Sequence, residues 1–252
     1  MKFSILGSKI DALNSYQETY ELMLNYLRTQ NTPAYLTVNN VHTVTEGLRD
    51  PEFREIINNS FLALPDGKPL SVIGRWNGIK RVERIFGPTF FEKTLEWGVE
   101  EKLKHYFFGS SDATLEKLKK NAENKFPGIK IAGAFSPPFR NYRIEENDQF
   151  IRDINYSEPD IIWISLGAPK QEKWIYSNFR KLKKGLIIGI GAGFDYLAEN
   201  LKNAPEWMKG LSLEWTYRLM QEPERLWRRY LFSNSKFIFY VTLELLGLKK
   251  FN

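Results

Sequence analysis

The chemistry-bearing residues of this 252-residue chain fall immediately after its short apolar runs. Thr37, Asn39 and Asn40 follow the first run, Pro65-Asp66-Gly67 the second, and Gly109-Ser110-Ser111-Asp112 the third. Gly167-Ala-Pro-Lys-Gln-Glu-Lys-Trp174 follows the fifth and Gly189-Ile-Gly-Ala-Gly-Phe-Asp195 the last. Polar and glycine-rich groups of this kind suit a nucleotide: amides and hydroxyls bind its oxygens, and glycines let backbone approach it closely. Each group also has a purely structural reading. Pro-Asp-Gly is a turn tripeptide in its own right, and Gly-Ala-Pro starts a helix with proline in the first turn. Gly-Ser-Ser-Asp reads as a helix N-cap, although such an N-terminus can also receive phosphate. His42 reads as a packed or solvent-facing histidine before an acid–base group.

The glycine run Gly189, Gly191 and Gly193 is similar to a dinucleotide fingerprint, but its sixth position is Phe194. It also follows the last apolar run, leaving no room for a second nucleotide-binding half. A nicotinamide-dependent oxidoreductase would need an acidic residue about 20 positions further on, at the end of a strand. Glu214 lies near that spacing but in a helical pattern, so this reading is poor. The run still lets backbone approach a nucleotide, with Asp195 able to accept hydrogen bonds from ribose hydroxyls.

Missing residues narrow the chemistry further. The absence of cysteine excludes a disulfide framework, a thiolate zinc site and a cysteine nucleophile. With only His42 and His105 present, a histidine-rich metal site is excluded too. No Asp-x-Asp pair, no Gly-x-Ser-x-Gly elbow and no P-loop occurs. A nucleotide-using enzyme built from these residues neutralises leaving-group charge with arginine, lysine or backbone amides, and no metal or other cofactor is expected.

The elements that must position these residues alternate. Near-continuously apolar runs at 34–38, 61–64, 105–108, 129–134, 161–166 and 186–190 read as strands, with amphipathic stretches such as 113–126 and 145–155 between them. That rhythm predicts an α/β fold: a Rossmann-like, doubly wound parallel sheet covered by helices on both faces. Ligands of such sheets bind beyond the carboxyl ends of the strands, where the residues above lie. The pattern changes near Ala204, giving an α/β body over 1–203 and a helical C-terminal appendage over 204–252. Over residues 216–252 seven basic side chains face three acidic ones, so +4 of the chain's net +6 sits there. Aromatics such as Trp215, Trp227, Tyr230, Phe237 and Tyr240 interleave with the arginines. This composition suits an anionic membrane surface, with a helical cap packed on the body as the plainer reading. A nucleic-acid-binding module would use the same tail. No apolar stretch is long enough to span a membrane and no signal peptide is visible, so a cytoplasmic location is expected.

Three strings carry a resemblance: Leu166 to Trp174, Gly189 to Asp195, and Leu213-Glu-Trp-Thr-Tyr-Arg-Leu-Met-Gln-Glu-Pro-Glu-Arg-Leu-Trp-Arg-Arg-Tyr230. Together with Thr37-Val-Asn-Asn-Val-His42, Leu64-Pro-Asp-Gly67 and Arg84-Ile-Phe-Gly87, and in the same order, they resemble the WecG/TagA/CpsF family of bacterial glycosyltransferases, family 26. The resemblance implies metal-independent, inverting transfer of a sugar from a UDP-sugar to an undecaprenyl-diphosphate-linked sugar at the inner face of the membrane. The product would enter exopolysaccharide, capsule or teichoic-acid-type polymers. It implies Asp66 as catalytic base, and Thr37, Asn39, Arg84 and Gln171 as substrate-binding residues. Arg218, Arg225 and Arg228 would close over the diphosphate. The stretch Phe135-Ser-Pro-Pro-Phe139 departs from the Gly-Tyr-Phe of the teichoic-acid branch and is closer to the exopolysaccharide branch.

Overall fold

The chain opens with two strands that the sequence reading did not identify. β1 (Lys2–Ile5) and β2 (Ser8–Asp11) pair antiparallel in the computed structural model, which describes residues 1–205, 207–208 and 213–251. Leu6 and Gly7 turn between them with φ of 49° and 79°, the left-handed geometry that two-residue hairpins require.

The six expected strands are all present: β3 (Ala34–Asn39), β4 (Leu62–Pro65), β5 (Lys104–Gly109), β6 (Lys130–Phe135), β7 (Ile161–Ser165) and β8 (Leu186–Gly189). They form one sheet in the order β4-β3-β8-β7-β5-β6, and every pair is parallel. The hairpin protects one margin of this sheet. Asp11 accepts the Ala63 N–H through Oδ2 at 2.8 Å, satisfying a donor on the β4 edge that no strand pairs.

Side chains alternate across the sheet into two apolar layers. On one face Tyr35, Phe108, Ile162 and Ile187 pack under α2 (Val41–Arg49), α3 (Pro51–Asn58), α4 (Lys68–Trp76), α7 (Ile144–Ser157) and α8 (Lys170–Asn178). On the other, Leu36, Phe107, Trp163 and Ile188 pack under α1 (Tyr16–Thr29), α5 (Gly87–Glu100), α6 (Asp112–Lys125) and α9 (Gly193–Leu197). Near-continuous apolarity in the strands thus has its cause in helices on both faces. Ser111 caps α6 as its sequence suggests, accepting the Thr114 N–H at 3.2 Å. Leaving β5 the chain turns outward to β6, and leaving β7 it turns the other way to β8, so a ligand crevice belongs at their carboxyl ends. Gly109 is obligatory there: its φ is +122°, and a Cβ would stand 2.3 Å from the Ser165 carbonyl oxygen.

Beyond α9 the chain carries two further helices, α10 (Glu214–Gln221) and α11 (Pro223–Leu245). Residues 206 and 209–212 of the appendage, and the side chain of Arg229 among its seven basic groups, lie outside the description. α11 packs on α2. Phe237 and Val241 enter the same layer as Phe53, and each such burial contributes about 1.5–3 kcal/mol. Polar contacts set the register: Ser233 Oγ meets His42 Nδ1 at 3.1 Å, and Glu244 accepts the Leu6 N–H at 3.1 Å. The opposite side of α11 is bare, with Ile238 65% and Phe232 60% exposed. The appendage is therefore a packed cap on one side and an apolar, unpaired face on the other.

His105 on β5 is wholly buried; its Nδ1 accepts the Trp163 indole N–H at 3.2 Å, and burial pulls its pKa down to about 3. Between pH 6.5 and about 3 the unfolded chain binds a proton that the folded chain refuses, so stability falls as pH falls through that window. His105→Gln keeps an acceptor without titrating. Its denaturation midpoint is expected to decline less than that of the natural chain from pH 6.5 to 4; parallel declines contradict this.

Candidate active site

Asp66 occupies the first position past β4 at the carboxyl edge of the sheet. Its N–H donates to the Asn39 carbonyl at 2.8 Å, and the Gly67 N–H donates to the same oxygen at 3.2 Å. Asn39 is itself held from below. Its Nδ2 donates to Thr37 Oγ1 at 2.9 Å, and both side chains are buried. One Asp66 carboxylate oxygen, Oδ1, accepts the Gly87 N–H at 2.8 Å from the first turn of α5. The donor comes from a helix N-terminus, the end of a helix that attracts negative charge. Oδ2 carries no hydrogen bond among the described residues. Gly87 is needed for the approach, since a Cβ there would lie 3.1 Å from Val38 and 3.4 Å from Ile190.

Arg84 reaches the same corner. Its Nε donates to the Asp66 carbonyl at 2.5 Å, and its guanidinium lies over the Phe86 ring, 4.5 Å from the centroid. Nη1 is ion-paired with Glu214 of α10, so the appendage touches the corner directly. Two tyrosines complete it. Tyr16 Oη accepts the Phe86 N–H at 3.1 Å. Burial raises the Tyr196 pKa, and the charges of Arg218, Glu214 and Asp66 also act on that hydroxyl.

Gln171, in the first turn of α8, is buried against β8. Its Nε2 donates to Glu172 at 2.9 Å, while its buried Oε1 has no partner among the described residues. A Cβ at Gly189 would stand 2.8 Å from Gln171 Nε2, and one at Gly191 3.5 Å from Oε1. A Cβ at Gly193 would stand 2.7 Å from Ile190. The space left by the glycines at 189 and 193 is therefore occupied by protein side chains. Gly191, with φ of 52°, lies beside this buried, unpaired Gln171 oxygen. Asp195 Oδ1 accepts from Asn200 at 3.4 Å, and its own carbonyl closes the turn after α9.

The structure thus brings Thr37, Asn39, Asp66 and Arg84 into one network. Gln171 joins the carboxyl edge through β8, and Arg218 sits within electrostatic reach of Tyr196. Thr37 and Asn39 act in it from beneath, fixing the Asp66 loop. Arg218 and Arg225 both pair with Glu222, at 3.4 and 2.6 Å, and the Arg228 guanidinium lies 5.1 Å from the Trp227 ring centroid. Sequence reasoning missed Tyr16 and Tyr196, and weighed Glu214 only as the acidic residue of a nicotinamide-binding fold. Among the described residues no three carboxylates or imidazoles are grouped to hold a metal ion.

A model of the Glycosyl transferase WecG/TagA/CpsF family matches residues 3–251, nearly the whole chain. The chain belongs to this family. It is a glycosyltransferase, and three curated relatives bear the same name, N-acetylglucosaminyldiphosphoundecaprenol N-acetyl-beta-D-mannosaminyltransferase. The protein of Bacillus subtilis (strain 168) is 28% identical over 202 residues, 80% of this chain and 77% of the relative. That of Bacillus spizizenii is 27% identical over 230 residues, 91% and 85% of the two chains. The protein of Staphylococcus aureus (strain MW2) is 22% identical over 229 residues, 90% and 87%. The resemblance read from the motif strings is thereby established as membership.

Packing of Gln171 against the transferase's β8 gives a test. Gly189→Ala drives a methyl group into a buried side chain, and overpacking of this kind costs about 1–3 kcal/mol. A thermal midpoint unchanged from the natural chain would contradict the placement of Gln171.

Proposed function

We propose that this glycosyltransferase moves a sugar from a UDP-sugar to an undecaprenyl-diphosphate-linked sugar, by single displacement, with inversion and without a metal ion. The observation that carries this reading is the Asp66 carboxylate, with Oδ1 held by the Gly87 N–H and Oδ2 open, beside Arg84 at the carboxyl edge of the sheet. The acceptor hydroxyl oxygen attacks the anomeric carbon from the Asp66 side, and its proton passes to Oδ2. On the far side the bond to the UDP oxygen breaks, and UDP leaves with the electron pair. Arg84 and the appendage arginines Arg218, Arg225 and Arg228 compensate the charge that develops on the diphosphate. Gln171 backs the substrate site at the carboxyl edge of β8, and Gly191 and Asp195 flank the nucleotide there.

The relatives' names put an N-acetylhexosamine first among donors to try, and a lipid-diphosphate-linked N-acetylglucosamine first among acceptors. The 135–139 stretch, tied to the carboxyl edge by Ser136 Oγ donating to the Ser110 carbonyl at 2.8 Å, is where donor preference would diverge. A panel of UDP-sugars with a short-chain lipid diphosphate acceptor identifies the pair. With it, Asp66→Asn is expected to lose about 10²–10⁴-fold in turnover. Turnover within threefold of the natural chain removes Asp66 from the role.

The acceptor is a membrane lipid, and the bare face of α11 supports a peripheral location at the cytoplasmic surface. No helix among the described residues is long and apolar enough to cross a membrane. Leu231, Phe232, Ile238 and Phe239 offer apolar side chains to the headgroup region, with Arg228 and Lys236 on the same helix for anionic lipid. Co-sedimentation with anionic vesicles that weakens as salt rises is expected. Absent or salt-insensitive sedimentation, or displacement by DNA, contradicts it.

A further inference from the structure

Among the described residues the Arg84–Glu214 ion pair is the least exposed when both partners are considered, at 20% and 13% of their side-chain surface. It joins residues 130 positions apart, one in the loop that enters α5 and one in the first turn of α10. Charges this far buried are expensive to leave unpaired, so removing one partner of such a pair is costly.

The geometry around Arg84 is specific. Its Nε edge is fixed by the Asp66 carbonyl, its face by the Phe86 ring, and its Nη1 by Glu214. A guanidinium gripped on one edge and one face presents its remaining Nη2 hydrogens in a single direction. The group that closes this grip is carried one helical turn before Arg218, on the same helix, so docking of the appendage and orientation of Arg84 are one event.

We propose that Glu214 is a positioning residue for the transfer: by holding Nη1 of Arg84 it orients that guanidinium, stiffens the Asp66 carbonyl and makes the corner complete only when α10 is docked. The proposal rests on the transferase reading above, and it makes Glu214 act through Arg84 without touching substrate.

Glu214→Gln preserves shape and removes the charge. Loss of a charge-assisted hydrogen bond of this type corresponds to about 10–100-fold in rate. Turnover of the full chain with a UDP-sugar and lipid acceptor should fall by that factor through kcat, with KM changed less than threefold. Glu214→Asp, which keeps the charge, should recover most of the loss. In an Arg84→Ala background Glu214→Gln should cost less than twofold, because the group it orients is gone. Hydrogen exchange gives a readout independent of turnover: the amides of Asp66 and Gly87 should exchange about tenfold faster in Glu214→Gln, with the β5 and β7 amides unchanged. Equal losses in both backgrounds, or unchanged exchange at Asp66 and Gly87, overturn the proposal. A natural chain that transfers from no UDP-sugar overturns the donor assignment instead, and the exchange comparison still decides the role of Glu214.

Discussion

Two N–H groups on one carbonyl hold the active corner together. The donors of Asp66 and Gly67 to Asn39 carry the β3–β4 ladder past the end of β4. A carboxylate placed by a sheet edge has little freedom to swing, and its remaining freedom is removed by the Gly87 N–H. Thr37 and Asn39, buried beneath, make the extension stiff by bonding to each other. Remove the Asn39 carbonyl from its place and Asp66, Arg84 and the entrance to α5 all lose their reference point.

From that corner the electrostatics build outward. Asp66 accepts a hydrogen bond from a helix N-terminus, Arg84 is gripped by Asp66, Phe86 and Glu214, and Arg218 and Arg225 share Glu222. Each cation expected near a diphosphate, except Arg228 on its tryptophan, is thus already held by a carboxylate of the appendage. Charge is preorganised here at low cost in solvent reorganisation, which is how such sites assist departure of a charged leaving group. The same appendage that carries these charges packs Phe237 and Val241 on the body and leaves an apolar face bare, so the contact with Arg84 and the bare face reside in one segment.

The parts of this arrangement that were legible in the sequence share a cause. Five of the six sheet strands are largely buried and carry near-continuous apolar side chains because helices cover both faces, and the candidate site residues sit directly after them. Glycine spacing was legible as a need for close approach, but not its reason: at Gly189 the approaching group is Gln171. The β1–β2 hairpin escaped notice because its strands are four residues long and its turn begins with Leu6, a residue that rarely takes positive φ. The pairing of Glu214 escaped because its partner lies 130 residues away, and no local pattern records that meeting. Tyr16 and Tyr196 likewise belong to helices whose apolar periodicity conceals a hydroxyl aimed at the site.

The central claim is that Asp66, with one oxygen held and the other open, takes the acceptor's proton in a single displacement. The anomeric configuration of the product, read by the one-bond carbon–proton coupling in its nuclear magnetic resonance spectrum, tests this most directly. An α-linked UDP-sugar should yield a β-linked product at every time point. A product that retains the donor's configuration would require two displacements, and would contradict the role assigned to Asp66.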